Sequence, residues 1–186
     1  MNGFQRKVNS MNVLSNIPLT IYVDMDGTLA EYKEVEVKAL YEPLYFVNLL
    51  PNENVIEGVR TFSSKHPDVS IQVLSCILSD RPNAIDEKMS WIRANCPFLL
   101  KTAPCFIPCG ENKGSIVKND GIHILLDDHS PNLLEFCMQE NCYGIKLLNG
   151  INGAGKKWQG PAISKELDPN SFADELYRLL PIKEIA

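Results

Sequence analysis

The stretch Leu19-Thr20-Ile21-Tyr22-Val23-Asp24-Met25-Asp26-Gly27-Thr28 decides how the chain is read. Its first half is apolar and β-branched, the composition of a buried strand, and its second half is the Asp- and Gly-bearing run of a loop. Asp24 and Asp26 therefore stand past a strand's C-terminal end, two residues apart, where both side chains can face one cavity. An ordinary solvated turn would use the same residue types. Two carboxylates that close repel unless a cation or a shared proton intervenes, and a hard cation such as magnesium meets that need with oxygen ligands.

Outward from this stretch, the runs 69–75, 121–128 and 144–148 have the same buried-strand character. A shorter run, 104–108, has prolines at both ends, which suits an edge strand. Helical spacing links Val55, Ile56, Val59 and Phe62, and again Ile85, Met89 and Ile92. Ser130 reads as an N-cap ahead of Pro131 for a helix carrying Leu133, Leu134 and Cys137. A last helix starts near Asn170 or Ser171 and buries Phe172, Leu176 and Leu179. Strands alternating with helices imply right-handed crossovers and a mostly parallel sheet covered on both faces, an α/β, Rossmann-like three-layer sandwich. Ligands of such sheets bind beyond the strand C-termini. Residues 1–17 read as a polar lead-in and 18–186 as one domain. A small helical cap insert is expected at about 30–54, over the site, because Leu40, Leu44, Val47 and Leu49 give it apolar content without one clean period.

Composition narrows the function classes. The chain has 186 residues, 45% hydrophobic, with a net charge of −5, enough for a substantial core and poorly suited to a general grip on a nucleic acid polymer or an anionic membrane. No apolar run approaches the roughly 18 residues that cross a bilayer, and the N-terminal segment lacks the uninterrupted apolar core of a signal peptide. The expectation is a soluble, cytoplasmic protein with its six cysteines reduced. Cys105 and Cys109 are spaced like half of a zinc site, but no second pair follows.

A second acidic pair, Asp127-Asp128, also follows an apolar run; alone it reads as a helix start favoured by the helix dipole. Both pairs together read better as one metal site. Ser75 ends another strand, and Lys113 lies in the loop Cys109-Gly110-Glu111-Asn112-Lys113-Gly114. A hydroxyl and an ammonium at one rim could hold phosphate oxygens, although either alone is ordinary.

In this order the motifs resemble those of the haloacid dehalogenase-like superfamily of phosphohydrolases: Asp24-Met25-Asp26-Gly27-Thr28, then Ser75, then Lys113, then Asp127-Asp128. Ser75-Cys76 followed by Glu87-Lys88 and Trp91, ahead of the Gly-Glu-Asn-Lys loop, is similar to the 5'(3')-deoxyribonucleotidase branch. The interval from Asp24 to Ser75 is shorter than in the mammalian members, whose larger cap supplies aromatic residues for the base. The resemblance implies that Asp24 attacks phosphorus to give an aspartyl-phosphate and that Asp26 is the general acid/base. It implies magnesium held by the Asp24 side chain, the Asp26 backbone carbonyl and Asp128, with Asp127 the second choice for the last position. It implies phosphoryl oxygens bound by Ser75, the Cys76 backbone N–H and Lys113, and a first loop oriented by Thr28. The expected activity is hydrolysis of a small phosphate monoester, such as a deoxyribonucleoside monophosphate. A phosphatase for a sugar phosphate or another metabolite, phosphoryl transfer to another acceptor, and a non-catalytic metal- and phosphate-binding protein are the competing readings.

Other residues attract plainer assignments. His129 reads as an exposed residue at a helix start, and His123 as part of a sheet face. Lys88 reads as solvated on an amphipathic helix, while the resemblance makes it a structural partner of the acidic site. The run from Asn149 to Trp158 reads as a loop bordering the site; it lacks the nucleotide P-loop pattern, and base stacking by Trp158 is the lesser reading.

Overall fold

The computed structural model describes residues 17–150 and 157–181. Six strands, β1 (Leu19–Val23), β2 (Ser70–Ile77), β3 (Cys105–Pro108), β4 (Ile122–Asp127), β5 (Cys142–Leu148) and β6 (Ala162–Ser164), form one sheet in the order β3-β2-β1-β4-β5-β6. Every neighbouring pair is parallel. The α-helices are α1 (Glu53–Lys65), α2 (Ala84–Asn95), α3 (Ser130–Phe136) and α4 (Pro169–Arg178). This is the α/β, Rossmann-like three-layer fold, and its strand order reverses between β1 and β4.

Side-chain alternation builds the two outer layers. Ile21 and Val23 of β1, Ile124 and Leu126 of β4, and Ile145 and Leu147 of β5 point into the larger core with α1, α2 and α4. Tyr22, Leu74 and Leu125 point the other way, onto Leu133 and Phe136 of α3. His123 is buried on that second face, its ring stacked on Tyr22 at 6.0 Å, as expected for a sheet-face residue.

Several local readings change. β6 escaped the sequence because it is three residues long and starts beside Pro161. Along α2 the inward face is Ala84, Glu87, Lys88, Trp91 and Ile92, whereas Ile85 is exposed, so the expected stripe was rotated by two polar residues that are buried in pairs. His129 takes the N-cap position of α3 without a side-chain cap bond, Ser130 is already helical, and Leu134 and Cys137 face outward. Asp168 caps α4, accepting from the N–H groups of Asn170 and Ser171. Leu179 is only partly buried there. No helix among the described residues is long and apolar enough to cross a membrane. The lead-in lies outside the described residues, except for Ile17, as do residues 151–156 of the loop before Trp158.

The segment between Ala30 and Asn52 holds one 3-10 turn, Val37–Tyr41, and otherwise irregular backbone. Helix α1 begins at Glu53. The segment's two ends meet: Ala30 bridges Pro51, the Glu31 N–H donates to the Leu50 carbonyl at 2.7 Å, and the Asn52 side chain donates to the Thr28 and Ala30 carbonyls. Its middle is fastened to α2. Glu87 accepts from the backbone N–H groups of Leu44 and Phe46 and from Arg81, which also donates to the Glu42 carbonyl. Trp91 Nε1 donates to the Leu49 carbonyl at 2.7 Å. These bonds hold Leu44 at a left-handed φ of 63°, a conformation costly for a branched side chain.

Removing Glu87 strands the buried Arg81 charge and two N–H groups. Glu87→Ala should lower stability in urea unfolding by about 3 kcal/mol and speed proteolytic cleavage between residues 31 and 50. A loss below about 1 kcal/mol would show that Glu87 does not anchor this segment.

Candidate functional site

Asp24 continues β1, its N–H donating to the Leu126 carbonyl of β4 at 3.0 Å. Asp127 and Asp128 stand at the end of β4, so the two acidic strand ends face each other where the sheet order reverses. Between the strand and Thr28 the chain turns back on itself, with the Thr28 and Ala30 N–H groups donating to the Met25 carbonyl. Met25 fills the core, which leaves Asp24 and Asp26 outside it. Gly27 has φ +81°, and a Cβ there would stand 2.4 Å from an Asp128 oxygen, so only glycine lets the two acidic loops approach this closely.

Lys113, in a 3-10 turn after β3, joins the two ends. It is 1% exposed and donates to Asp24 Oδ1 at 2.6 Å and to Asp127 Oδ2 at 2.7 Å. Burial alone would push its pKa down; Asp127 and Asp24 hold it well above the ordinary lysine value. Asp127 also accepts from the His129 N–H and from Asn132. Asp128 accepts from Asn149, which donates to the Gly27 carbonyl as well.

Asp26 takes a different partner. Its Oδ2 accepts from Lys88 of α2, which also donates to Ser75 Oγ and to the Cys76 carbonyl. Lys88 is fully buried rather than solvated as its helix pattern suggests: with Asp26 and Ser75 to receive its ammonium, burial is compensated. Asp26 Oδ1 has no hydrogen-bond partner among the described residues, and the same holds for Thr28 Oγ1.

Asp24, Asp26, Cys76, Lys113 and Asp128 line one cavity of about 310 Å³, together with Tyr32, His129 and Asn132. Ser75 is wholly buried behind this lining, its hydroxyl occupied by Lys88. His129 is exposed and lies at a helix start, as expected, but its side chain also borders the cavity. Trp158 donates to the Pro161 carbonyl and packs beside Gly144 and Gly160, so it does not face this cavity. Beside the polar cavity lies an apolar one of about 350 Å³, sharing Asp26, Tyr32 and Cys76 and walled by Val37, Tyr45 and Phe46.

Carboxylate oxygens of Asp24, Asp127 and Asp128 lie within 4.8 Å of one another. Among the described residues four carboxylates and two ammonium groups meet here, an excess of acid that suits a divalent cation. Burial first, then the neighbouring carboxylates, raises Asp128 to about 8; burial likewise raises Asp24 to about 6 against the pull of Lys113. A bound cation would favour the charged form of both carboxyl groups, and oxygen ligands suit magnesium. The cysteines stay free thiols, and among the described residues none joins a metal-capable cluster.

No protein-family model and no curated protein matches this chain. In fold it is similar to a chain in the structure of a Pnkp1/Rnl/Hen1 complex, at 13% identity and a TM-score of 0.52. That match covers 70% of this chain and 46% of the other, so the chain spans less than half that protein's length. A hypothetical protein from Xanthomonas campestris is similar at 13% identity and a TM-score of 0.46, over 91% of this chain and 87% of that one.

Asn149, Asn132 and Tyr32 were not singled out individually from the sequence. Asn149 carried a usable signal, since it directly follows β5 and so arrives at the same rim as the acidic pairs.

Asp24 and Asp128 keep their protons to higher pH folded than unfolded, where a carboxyl titrates near 3.8. Their contribution to stability is complete below that value and is lost as pH rises through about 6 and then about 8. The metal-free protein should therefore lose stability from pH 5 to pH 7, by about 2 kcal/mol per pH unit, with Asp128→Asn flattening the fall and magnesium opposing it. Melting curves that rise over this window would contradict the assignment.

Proposed function

We propose that this protein is a magnesium-dependent phosphatase that hydrolyses a small phosphate monoester through an aspartyl-phosphate on Asp24. The observation that carries the reading is the meeting of Asp24, Lys113, Asp128 and Asp26 on one cavity at the point where the strand order reverses. Asp24 and Asp128 would hold magnesium, with Asp127 beside them and the Asp26 carbonyl the further ligand that the motif resemblance implies. The ion would offset charge on the phosphoryl oxygens and orient them.

The Asp24 carboxylate attacks phosphorus while Lys113 keeps it aimed and contributes positive charge to the phosphoryl group. Lys88 fixes Asp26 through Oδ2, orienting the carboxyl group that gives the departing oxygen its proton. Asp26 then takes a proton from water as that water attacks the aspartyl-phosphate, releasing phosphate and restoring Asp24. The Cys76 N–H is the backbone donor that the resemblance implies for the phosphoryl oxygens. Ser75, behind the lining, supports this loop through Lys88.

The adjoining apolar cavity favours a leaving group with a flat apolar part, such as a nucleoside, over a sugar phosphate. A non-catalytic phosphate sensor would have no use for an acid with one oxygen held by an ammonium and the other unpartnered among the described residues.

Phosphate release should require magnesium and stop with a chelator. Asp24→Asn should lose at least about a thousandfold in kcat, and Asp26→Asn about a hundredfold or more, with the fold retained by circular dichroism. Deoxyribonucleoside monophosphates should exceed sugar phosphates in kcat/KM by about tenfold or more. Turnover retained in Asp24→Asn would remove the covalent mechanism.

A further inference from the structure

Two thiols have no part in this chemistry yet stand at its edge. Cys76, next to last in β2 and beside Ser75, borders both the polar and the apolar cavity; Cys109 lines the apolar one. The β2–β3 register sets Cys76 opposite Ile107, two residues before Cys109, so the two cysteines border the apolar cavity from neighbouring strands. They come from neighbouring strands: the Cys109 N–H donates to the Ile77 carbonyl at 2.8 Å, one residue beyond β3. Cys109 then enters a tight turn, closed by the Glu111 N–H on the Pro108 carbonyl, with Gly110 at φ +91°. Nothing lies within 4 Å of a Cβ built on Gly110, so this exposed turn has room to shift toward disulfide geometry.

We propose that Cys76 and Cys109 form a redox-modification site, in which a hydroperoxide oxidises Cys109 and Cys76 closes a reversible disulfide across the junction of the two cavities. The Cys109 sulfur attacks one peroxide oxygen; the O–O bond breaks, the second oxygen leaves with a proton, and a sulfenic acid remains. The Cys76 sulfur then displaces that hydroxyl, the S–S bond forms, and the Cys76 proton leaves with the hydroxyl as water. With hydrogen peroxide, two thiols give one disulfide and two waters, the two electrons passing from sulfur to oxygen.

The order of attack follows from the surroundings. Cys109 is exposed, and the neighbouring Cys76 thiol, helped by the Lys88 charge, lowers it to about 7. Cys76 is the half-buried resolving thiol, raised by the neighbouring Cys109 and by burial. Cys96 and Cys142 are buried, and Cys137, though exposed, does not line either cavity.

The test treats the intact protein with hydrogen peroxide and maps its peptides by mass spectrometry. A Cys76–Cys109 linked peptide, lighter by about 2 Da and split by dithiothreitol, is expected in the wild type and in Cys137→Ser, and in neither Cys76→Ser nor Cys109→Ser. Linkage elsewhere, or Cys109 running on to sulfinic acid without linkage, overturns the proposal. A second arm rests on the phosphatase reading: release of phosphate should fall about tenfold or more on oxidation and return on reduction. Linkage with undiminished release would overturn the blockade while leaving the modification site intact. The mass shift reads the thiols whether or not the chain proves to be a phosphatase.

Discussion

A single ammonium, that of Lys113, lies between the carboxylates of Asp24 and Asp127 and is almost wholly removed from water. Like charges at the ends of β1 and β4 would otherwise force the central strands apart where they must stay in register. The burial of Lys113 is affordable only with both partners in place, and both partners need it. This mutual dependence ties the loop after β3 to the middle of the sheet and sets the floor of the cavity. Asp128 accepts from Asn149 rather than from Lys113, and burial together with the neighbouring Asp127 and Asp24 raises its pKa.

The second ammonium extends the same logic to helix α2. Lys88 reaches from α2 to Asp26, Ser75 and Cys76, and its Nζ also lies 4.6 Å from the Phe46 ring centroid. Arg81 sits over that ring at 4.7 Å. Phe46 belongs to the segment that walls the apolar cavity, so one cation contacts both the candidate acid/base and the surface that a leaving group would meet.

The strand at 19–23, the acidic loop after it, the parallel sheet and the edge position of 105–108 were legible because buried parallel strands read as unbroken apolar runs and Gly/Asp turns punctuate them. Asp24, Asp26, Cys76, Lys113 and Asp128, named from the motifs, all border one cavity, whereas Ser75 lies behind it. What stayed hidden depended on pairing. A lysine on an amphipathic helix looks solvated until Asp26 and Ser75 are found opposite it, and Glu87 looks like helix surface until two backbone N–H groups and Arg81 converge on it. Such partners are more than forty residues away in several cases, beyond the reach of local periodicity.

The bridge between Ala30 and Pro51 has an evolutionary consequence. Because the segment leaves and rejoins the fold at adjacent points, residues can be added or removed between them without displacing β1 or α1. Doubling such a loop adds only about 0.6 kcal/mol of closure entropy. The candidate carboxylates belong to the sheet and a wall of the apolar cavity belongs to this excursion, so under the proposed phosphatase reading substrate choice and bond-breaking chemistry would occupy separately replaceable parts of one chain.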